Sequence, residues 1–295
     1  MIDYQKLVYI FIILIITCYA YHKIDKYMLD NYENNYEYPK IIWTYWDDIN
    51  TIPIIVKYIL NARENKLNNW NIITLDNTNI DEYINKDEYP EKYNTLMPAH
   101  KADWIRLYLL KNHGGIWLDA GIIVNSLSEF DQLYNDSVNN NSELTCFYLH
   151  GKMINNDPNT FIENWYILSP KNSRVINKWY DEFTLAINMG FLNYRRDLTS
   201  KGVKADQVYI WGPQDTYLTM HAALQKIIQL KLVDNPKILL YKAEDTMFKL
   251  QDICKWDVNC ITDKLMNDES TKEIPYIKLR GADRQGGNFS IKILQ

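Results

Sequence analysis

Cysteine and glycine are scarce in this chain of 295 residues, which contains 4 and 10 of them. No C-x-x-C pair and no His/Cys cluster occurs, so the common zinc motifs are excluded. The chain has no Walker loop, no G-x-S-x-G elbow and no internal repeat, so P-loop chemistry, the α/β-hydrolase nucleophile and a solenoid are excluded as well. The net charge of -5 shows no excess of basic residues, and nucleic acid is therefore not expected as a main partner.

Hydrophobic residues, in contrast, make up 47% of the chain, enough for a large core in one α/β domain. A charge-free apolar run over 7–21 predicts a transmembrane signal anchor at 7–23, after a short tail at 1–6. A cleaved signal peptide is the alternative. The polar stretch that follows predicts a stalk at 24–38. The catalytic domain would then occupy 39–295, on the luminal or extracytoplasmic side of a membrane that the chain crosses once.

The stretch from Ala99 to Val124 is the most informative part of the sequence. It begins as a helix, and Gly114 ends that helix because glycine adopts the left-handed cap conformation without a Cβ clash. Ile116–Leu118 then predicts a short buried strand with Asp119 at its carboxyl end. Open α/β sheets bind their ligands at that end of their strands.

The predicted helix carries Asp103 and Arg106 on the same face as its small and aliphatic residues. Burying two charges costs several kcal/mol per ion unless they are paired, so this face is consistent with a polar pocket. A surface ion pair one turn apart, worth about 0.3–0.5 kcal/mol, explains the same spacing. The helical pattern alone does not separate the two interpretations.

The rest of the chain alternates predicted strands and helices. A strand at 40–46, a helix at 53–66 and a strand at 70–75 indicate a Rossmann-like parallel half. Further predicted segments are a helix at 126–135, strands at 143–150 and 164–169, a helix at 173–188, a polar connector at 191–207 that is either a lid or a solvated loop, a helix reaching about 231, and a last strand at 237–241.

The spacing A-x-K-A-D-x-x-R-L-x-x-L-x-x-x-G-G-I-W-L-D over 99–119 resembles the core of GT-A glycosyltransferases, in which an S-D-x-x-R helix runs through G-G into a strand that ends in a D-x-D motif. It is most similar to the capsular polysaccharide synthesis protein family. The yeast-type initiating mannosyltransferases and the clostridial toxin glucosyltransferases are more distant. The resemblance implies an α/β, Rossmann-like GT-A fold with a mostly parallel central sheet flanked by helices.

The same resemblance implies a hexosyltransferase that moves a sugar from a nucleotide-sugar donor, UDP-sugar being favoured, to a glycan or polysaccharide acceptor with retention of configuration. It assigns catalysis to Asp103, Arg106 and Asp119. It assigns donor binding to these residues together with Gly115 and Trp43, the latter beside the nucleotide base. Trp46 is the neighbouring candidate, and core packing is the alternative for either tryptophan.

The full D-x-D motif is incomplete in this chain, because Ala120-Gly121 follows Asp119 where a second carboxylate would stand. The capsule-synthesis relatives often show D-A-T or D-A-S here, so a single Asp is compatible with that group. Paired carboxylates would hold Mn²⁺ or Mg²⁺ against the donor diphosphate. Here Asp119 would be the metal ligand alone, or would contact ribose or sugar hydroxyls. A sugar-binding pseudoenzyme is therefore an alternative function, and a glycoside hydrolase, which needs two suitably spaced carboxyl groups, is a further one.

Several later residues are weaker candidates. Asn164 matches the start of the relatives' second block and would form the acceptor side, and Asp215 is either a third carboxylate or a first-turn helix residue. Lys278, with Arg280 close by, resembles a late basic group that meets the diphosphate. The remaining features depend on the compartment: a disulfide between Cys254 and Cys260, and N-x-S/T sequons at Asn135, Asn140 and Asn288.

Overall fold

The computed structural model of the chain describes residues 36–209, 212 and 215–286, together with Thr17 and Phe289. The predicted tail, the anchor apart from Thr17, and the stalk up to residue 35 lie outside the described residues. Within the described ranges, no helix combines the length and the apolar character needed to cross a membrane. The last stalk positions pack on the domain, since the Tyr38 hydroxyl donates to the Ser142 carbonyl at 2.7 Å.

A central sheet of six strands organises the domain, in the order β2-β1-β3-β6-β5-β7. Strand β6 runs antiparallel to both its neighbours, β3 and β5, whereas the other pairings are parallel. The predicted α/β class with a mostly parallel sheet is therefore confirmed. The strands are β1 (Ile41–Tyr45), β2 (Asn71–Leu75), β3 (Gly115–Leu118), β5 (Leu144–Tyr148), β6 (Tyr166–Ser169) and β7 (Ile238–Lys242).

Helices flank the sheet on both faces, and most of them have the predicted bounds within a few residues. They are α1 (Ile54–Lys66), α2 (Pro98–His113), α3 (Leu127–Asn139), α4 (Arg174–Met189), α5 (Phe191–Ser200), α6 (Thr219–Gln229), α7 (Lys249–Ile253), α8 (Val258–Asn267) and α9 (Gly281–Gly286). The predicted connector at 191–207 is wrong over its first half. Helix α5 forms there because Tyr194 and Leu198, four residues apart, are buried against the core.

Helix α2 is buried along both faces, although its sequence pattern predicts a single core face. Trp104 and Tyr108 lie on the face opposite Arg106 and are 0% and 4% exposed. Their rings contact Tyr180 of α4 at centroid distances of 5.8 and 6.1 Å. The helix is therefore held between the sheet and α4, and this fixes the position of Asp103 and Arg106.

A second, two-stranded ladder joins distant parts of the chain beside the main sheet. Strand β4 (Ile122–Val124), which follows the turn after Asp119, pairs antiparallel with β8 (Tyr276–Lys278). The register places Ile122 opposite Lys278. The ladder therefore brings the last residue of β8 next to the turn that holds Asp119.

Glu143 forms a buried ion pair that ties β5 to α4. Its side chain is 0% exposed, and its oxygens accept from Nε and Nη2 of Arg174, both at 2.7 Å. Burial raises the pKa of Glu143, but the Arg174 hydrogen bonds offset this and the net pKa is lowered. The carboxylate therefore stays ionised in the fold at lower pH than an ordinary glutamate does.

We expect Glu143→Gln to lower the free energy of unfolding by about 2–4 kcal/mol at neutral pH. A carboxyl group whose folded pKa is depressed contributes stability above its unfolded pKa, near 4.5, and that contribution is lost as pH falls through the folded value. Chemical denaturation from pH 7 to pH 3 should therefore show the two proteins converging in acid. A gap that stays constant over this range would contradict the prediction. Glu129→Gln, on the exposed start of α3, is the control.

Candidate active site

A cavity of about 850 Å³ opens at the carboxyl end of β3. Binding sites for small ligands usually have this size, and open α/β sheets place them at this edge. Its floor contains charged side chains from α2, from the end of β3 and from β8. Aromatic side chains surround them, namely Tyr45, Trp46, Trp117, Phe161, Trp165, Tyr217, Phe248 and Trp256.

The charged pair predicted on α2 faces this cavity. Arg106 Nη2 lies 3.3 Å from Asp103 Oδ1 and 3.6 Å from Asp119 Oδ1. Arg106 Nη1 donates to the Asn164 carbonyl at 2.7 Å, and its guanidinium carbon lies 4.8 Å from the centre of the Trp117 ring. The interpretation as a surface ion pair is excluded, because Asp103 is 7% and Arg106 5% exposed. Arg106 therefore links both carboxylates.

Asp103 is buried beside Arg106 and Asn164. Asn164 Nδ2 donates to its Oδ1 at 3.0 Å, which brings the predicted acceptor-side residue into the same cluster. Burial raises the pKa of Asp103, and the Arg106 charge opposes that shift. The net pKa of Asp103 is raised, and the Arg106 charge is the largest of the influences that lower it.

Asp119 is held from several directions at the end of β3. Oδ1 accepts from Trp117 Nε1 at 2.8 Å, and Oδ2 accepts from Lys278 Nζ at 2.8 Å. Burial raises the pKa of Asp119, but the charges of Lys278 and Arg106 outweigh it and hold the pKa well below its usual range. Lys278, which the resemblance places near the diphosphate, thus lies against the strand-end carboxylate.

The turn that carries Asp119 is supported from below by Arg63 of α1. Nη2 of Arg63 donates to the carbonyls of Asp119 and Ile122 at 2.8 and 2.9 Å, and Nη1 donates to Thr44 Oγ1 at 2.6 Å. The side chain is 1% exposed, and the hydrogen bonds of Nη1 and Nη2 replace those that water would make, whereas Nε has no partner among the described residues. Arg63 is a positioning residue that the sequence analysis missed. Its place on the apolar face of α1, one turn after Ile59 and Leu60, is the signal that could have revealed it.

Position 121, where the family's second carboxylate would stand, has no room for a side chain. A Cβ atom there would lie 2.5 Å from Arg284 Nη1 and 2.7 Å from the Leu279 carbonyl oxygen. Arg284 itself donates to that carbonyl at 2.9 Å and lines the cavity. Glycine at 121 therefore lets the Arg284 guanidinium approach the turn.

We expect Gly121→Ala to lower the free energy of unfolding by about 1–3 kcal/mol, because the backbone carbonyl of Leu279 cannot move aside as a flexible side chain could. Thermal and urea denaturation would measure it. Gly151→Ala is the matched control, since the nearest atom to its Cβ would be Glu244 Oε1 at 3.8 Å. Equal stability of the two variants would show that position 121 tolerates a side chain.

A second ionisable pair lies on the same cavity. His221, at the start of α6, has Nε2 3.6 Å from Glu163 Oε2, and both residues line the cavity. Neither ring nitrogen of His221 has a hydrogen-bond partner among the described residues, although the residue is 5% exposed. The pair supplies groups that can receive or donate a proton to a bound hydroxyl group.

Three predicted site residues lie away from the cavity. Trp43 is 2% exposed in the core and donates from Nε1 to the Gly114 carbonyl at 2.9 Å, so the core-packing alternative holds and Trp46 lines the cavity instead. Gly115 lies at the opposite end of β3, where a Cβ would lie 2.6 Å from the Ile41 carbonyl oxygen. Asp215 accepts from the Tyr217 backbone N–H at 2.9 Å in a turn before α6 and is not among the lining residues.

The groups around Asp119 do not fit the divalent cation expected from the resemblance. Among the described residues, no group of three or more His, Cys, Asp or Glu side chains could hold a metal ion. An ammonium group already occupies Oδ2 of the single carboxylate, and an arginine fills the space at position 121. A cation bound to Asp119 would be repelled by these fixed positive charges.

The chain was compared with protein families, with curated proteins and with solved structures. The model of the family described as "Capsular polysaccharide synthesis protein" matches residues 5–186. A protein from Annulohypoxylon truncatum, described as "O-glycosyltransferase braB", is 30% identical over 95 residues, which span 28% of this chain and 23% of that protein. The chain thus spans less than a quarter of this relative's length.

Two solved structures that match the chain at low identity are described as glycosyltransferases. One is a glycosyltransferase involved in the glycosylation of the major capsid of PBCV-1, at 12% identity and a TM-score of 0.43, covering 83% of this chain and 96% of that one. Another is the UDP-bound glycosyltransferase domain from the YGT toxin, at 9% identity and a TM-score of 0.41, covering 70% and 80%.

The chain belongs to the capsular polysaccharide synthesis protein family, because the family model matches well over half of its length. The membership confirms the resemblance found in the sequence.

Proposed function

We propose that this protein transfers a sugar from a nucleotide-sugar donor, a UDP-sugar being favoured, to a hydroxyl group of a glycan or polysaccharide acceptor. The observation that carries the proposal is the continuous chain of charges on the cavity floor, from Asp103 through Arg106 and Asp119 to Lys278. A neutral sugar does not need such a floor. A diphosphate does, because its charge increases as the anomeric bond breaks.

Different residues of the cavity bind different parts of the donor. The cations at the floor face the diphosphate, and Arg106 offers a planar set of donors to it. Asp119 and Asp103 accept from hydroxyl groups of the ribose or of the sugar. The aromatic rim, which includes Trp46 and the half-exposed Trp256 and Tyr217, offers stacking surfaces for a base or a sugar ring.

In the reaction, the bond between the anomeric carbon and the diphosphate oxygen breaks, and its electron pair stays with the diphosphate. The acceptor hydroxyl oxygen forms the new bond to the anomeric carbon. Its proton passes to the leaving diphosphate oxygen if configuration is retained, the outcome that the family resemblance suggests. Closure of the site by the acceptor excludes water, which would otherwise hydrolyse the donor.

The purified full-length chain, incubated with a panel of UDP- and GDP-sugars, tests the proposal. An enzyme should bind the matching nucleoside diphosphate and slowly hydrolyse one donor in the absence of acceptor. A pseudoenzyme should bind glycan alone, and a glycoside hydrolase should cleave glycan and ignore nucleotides. The anomeric configuration of the product, read by NMR, tests retention; an inverted product would instead indicate Glu163 as the base that removes the acceptor proton.

The membrane anchor and the location of the domain outside the cytosol stay proposals. Cys254 and Cys260 are joined by a disulfide bond, and such bonds persist mainly in oxidising compartments. Protease protection of the domain in sealed membranes, together with the mobility shift after glycosidase treatment of the sequons at Asn135 and Asn140, tests the orientation.

A further inference from the structure

We propose that Lys278 and Arg284 together take the place of the divalent cation, so that this chain binds and releases the nucleoside diphosphate without a metal ion. The inference rests on the proposed function, since it concerns the diphosphate of the same donor. It follows from the misfit between the expected metal site and the side chains that occupy its position.

The first step concerns the charge of Asp119. Lys278 is 6% exposed, and its ammonium group lies 2.8 Å from Oδ2 of that carboxylate. Burial lowers the pKa of Lys278, whereas the charge of Asp119 acts in the opposite direction. The buried ammonium group of Lys278 would stabilise the negative charge of a diphosphate placed beside it. This is the electrostatic role that a metal ion has in other enzymes.

The second step concerns position 121. The family's second carboxylate cannot stand there, because a Cβ atom would meet Arg284 Nη1 and the Leu279 carbonyl oxygen at 2.5 and 2.7 Å. The space of an anionic ligand is thus filled by a guanidinium group. The change exchanges one negative charge for one positive charge at the same place in the fold.

The third step concerns the charge of Arg284. Its neighbour Arg280 is neutralised by Asp283, with Nη2 and Oδ1 2.6 Å apart. Within the part of the chain that the structure describes, no carboxylate lies within ion-pair distance of Arg284, which instead donates to a carbonyl and lies 5.7 Å from the Trp46 ring centre. Arg284 therefore brings an unneutralised charge to the cavity. Its remaining N–H groups suit the oxygens of a phosphate group.

Three fixed cations would balance the negative charge that develops on the diphosphate as the bond breaks. When the electron pair of the anomeric C–O bond moves to the diphosphate, Lys278, Arg284 and Arg106 already stand as fixed cations around the cavity floor. They need no reorganisation at that moment, which is the condition under which fixed charges accelerate a reaction most.

Calorimetric titration of UDP and GDP into the full-length chain, with excess EDTA and then with Mn²⁺, is the test. We expect one of the two nucleotides to bind in EDTA with an affinity within about threefold of that measured with Mn²⁺. Titration of Mn²⁺ alone, followed by electron paramagnetic resonance, should show no site that Asp119→Asn removes.

Substitution of each cation tests whether it binds the diphosphate. We expect Arg284→Gln and Lys278→Met each to weaken the binding of the nucleoside diphosphate by about 10–100-fold, while the corresponding nucleoside competes as well as it does in the unmodified chain. Arg284→Gln leaves no buried charge unpaired, so it remains informative if Lys278→Met fails to fold. Lys272→Met, six positions before Lys278 in sequence and 72% exposed at its side chain, removes a lysine charge near β8 and should bind nucleotide normally.

Nucleotide binding that occurs only with Mn²⁺, or a Mn²⁺ site lost in Asp119→Asn, would overturn this inference and leave the proposed function intact. Absence of nucleotide binding under both conditions would overturn the proposed function itself and the inference with it. Equal losses of nucleoside and nucleoside diphosphate in Arg284→Gln would assign that residue a structural role and also contradict the inference.

Discussion

We expect Asp119→Asn to reduce sugar transfer by about 10²–10³-fold or more, while the domain still unfolds in one cooperative transition. Asparagine preserves the shape of the side chain. Its amide oxygen can still accept the hydrogen bond that Trp117 Nε1 donates to Asp119 Oδ1 at 2.8 Å. It removes the charge that orients Lys278 and Arg106. Turnover and thermal unfolding, measured on the same preparation, separate the chemical effect from the structural one.

The matched control for this variant is Asp76→Asn. Asp76 also follows a strand of the sheet, but it accepts from the Thr78 backbone N–H at 2.7 Å and is not among the residues that line the cavity. It should lose some stability and keep its turnover. Unchanged turnover in Asp119→Asn would rule out the role assigned to that carboxylate, whatever its effect on folding.

Replacement of Arg106 by lysine should have the second largest effect. The arginine fork reaches Asp103, Asp119 and the Asn164 carbonyl at once, and a single ammonium group cannot reproduce that geometry. We expect turnover to fall about 10²-fold, with a loss of about 2 kcal/mol in the free energy of unfolding. The retained positive charge makes lysine a milder test than methionine.

The measurement that isolates the fork is the pH dependence of stability. With Arg106 in place, its charge supports the ionised form of Asp103, whose pKa burial raises. Lysine is a weaker partner for Asp103 and should raise the pKa of that carboxyl group further. Asp103 of the Arg106→Lys variant should therefore take up a proton on folding at higher pH than Asp103 of the unmodified chain. Arg174→Lys, at the Glu143 pair, is the control: it should lose stability and keep its turnover. A normal turnover in Arg106→Lys would contradict the proposal that its fork holds the donor.

The local part of the site could be read from the sequence. Gly114, Asp119 and the α2 pattern lie within one stretch, and their arrangement follows from helix capping and from the position of a strand end. Asp103 and Arg106 could be placed on one face by spacing alone. Their burial could not, because it depends on a distant segment that places Asn164 against both side chains.

The remainder depends on contacts between distant segments. Trp43 and Trp46 lie three positions apart, and only the packing of α2 and of the residues around Tyr83 decides that the first enters the core. Arg284 lies beside position 121 because β4 pairs with β8. No short pattern in the sequence predicts that pairing. Arg63 is the exception, since a charge on an otherwise apolar helix face is visible in the sequence.

The β4–β8 ladder also determines how late in synthesis the Asp119–Lys278 pair can form. Asp119 and Lys278 are 159 positions apart, so a ribosome adding residues in order makes the acid long before its ammonium partner emerges. Because a domain generally folds as a unit, the Asp119–Lys278 pair cannot form until β8 has been synthesised.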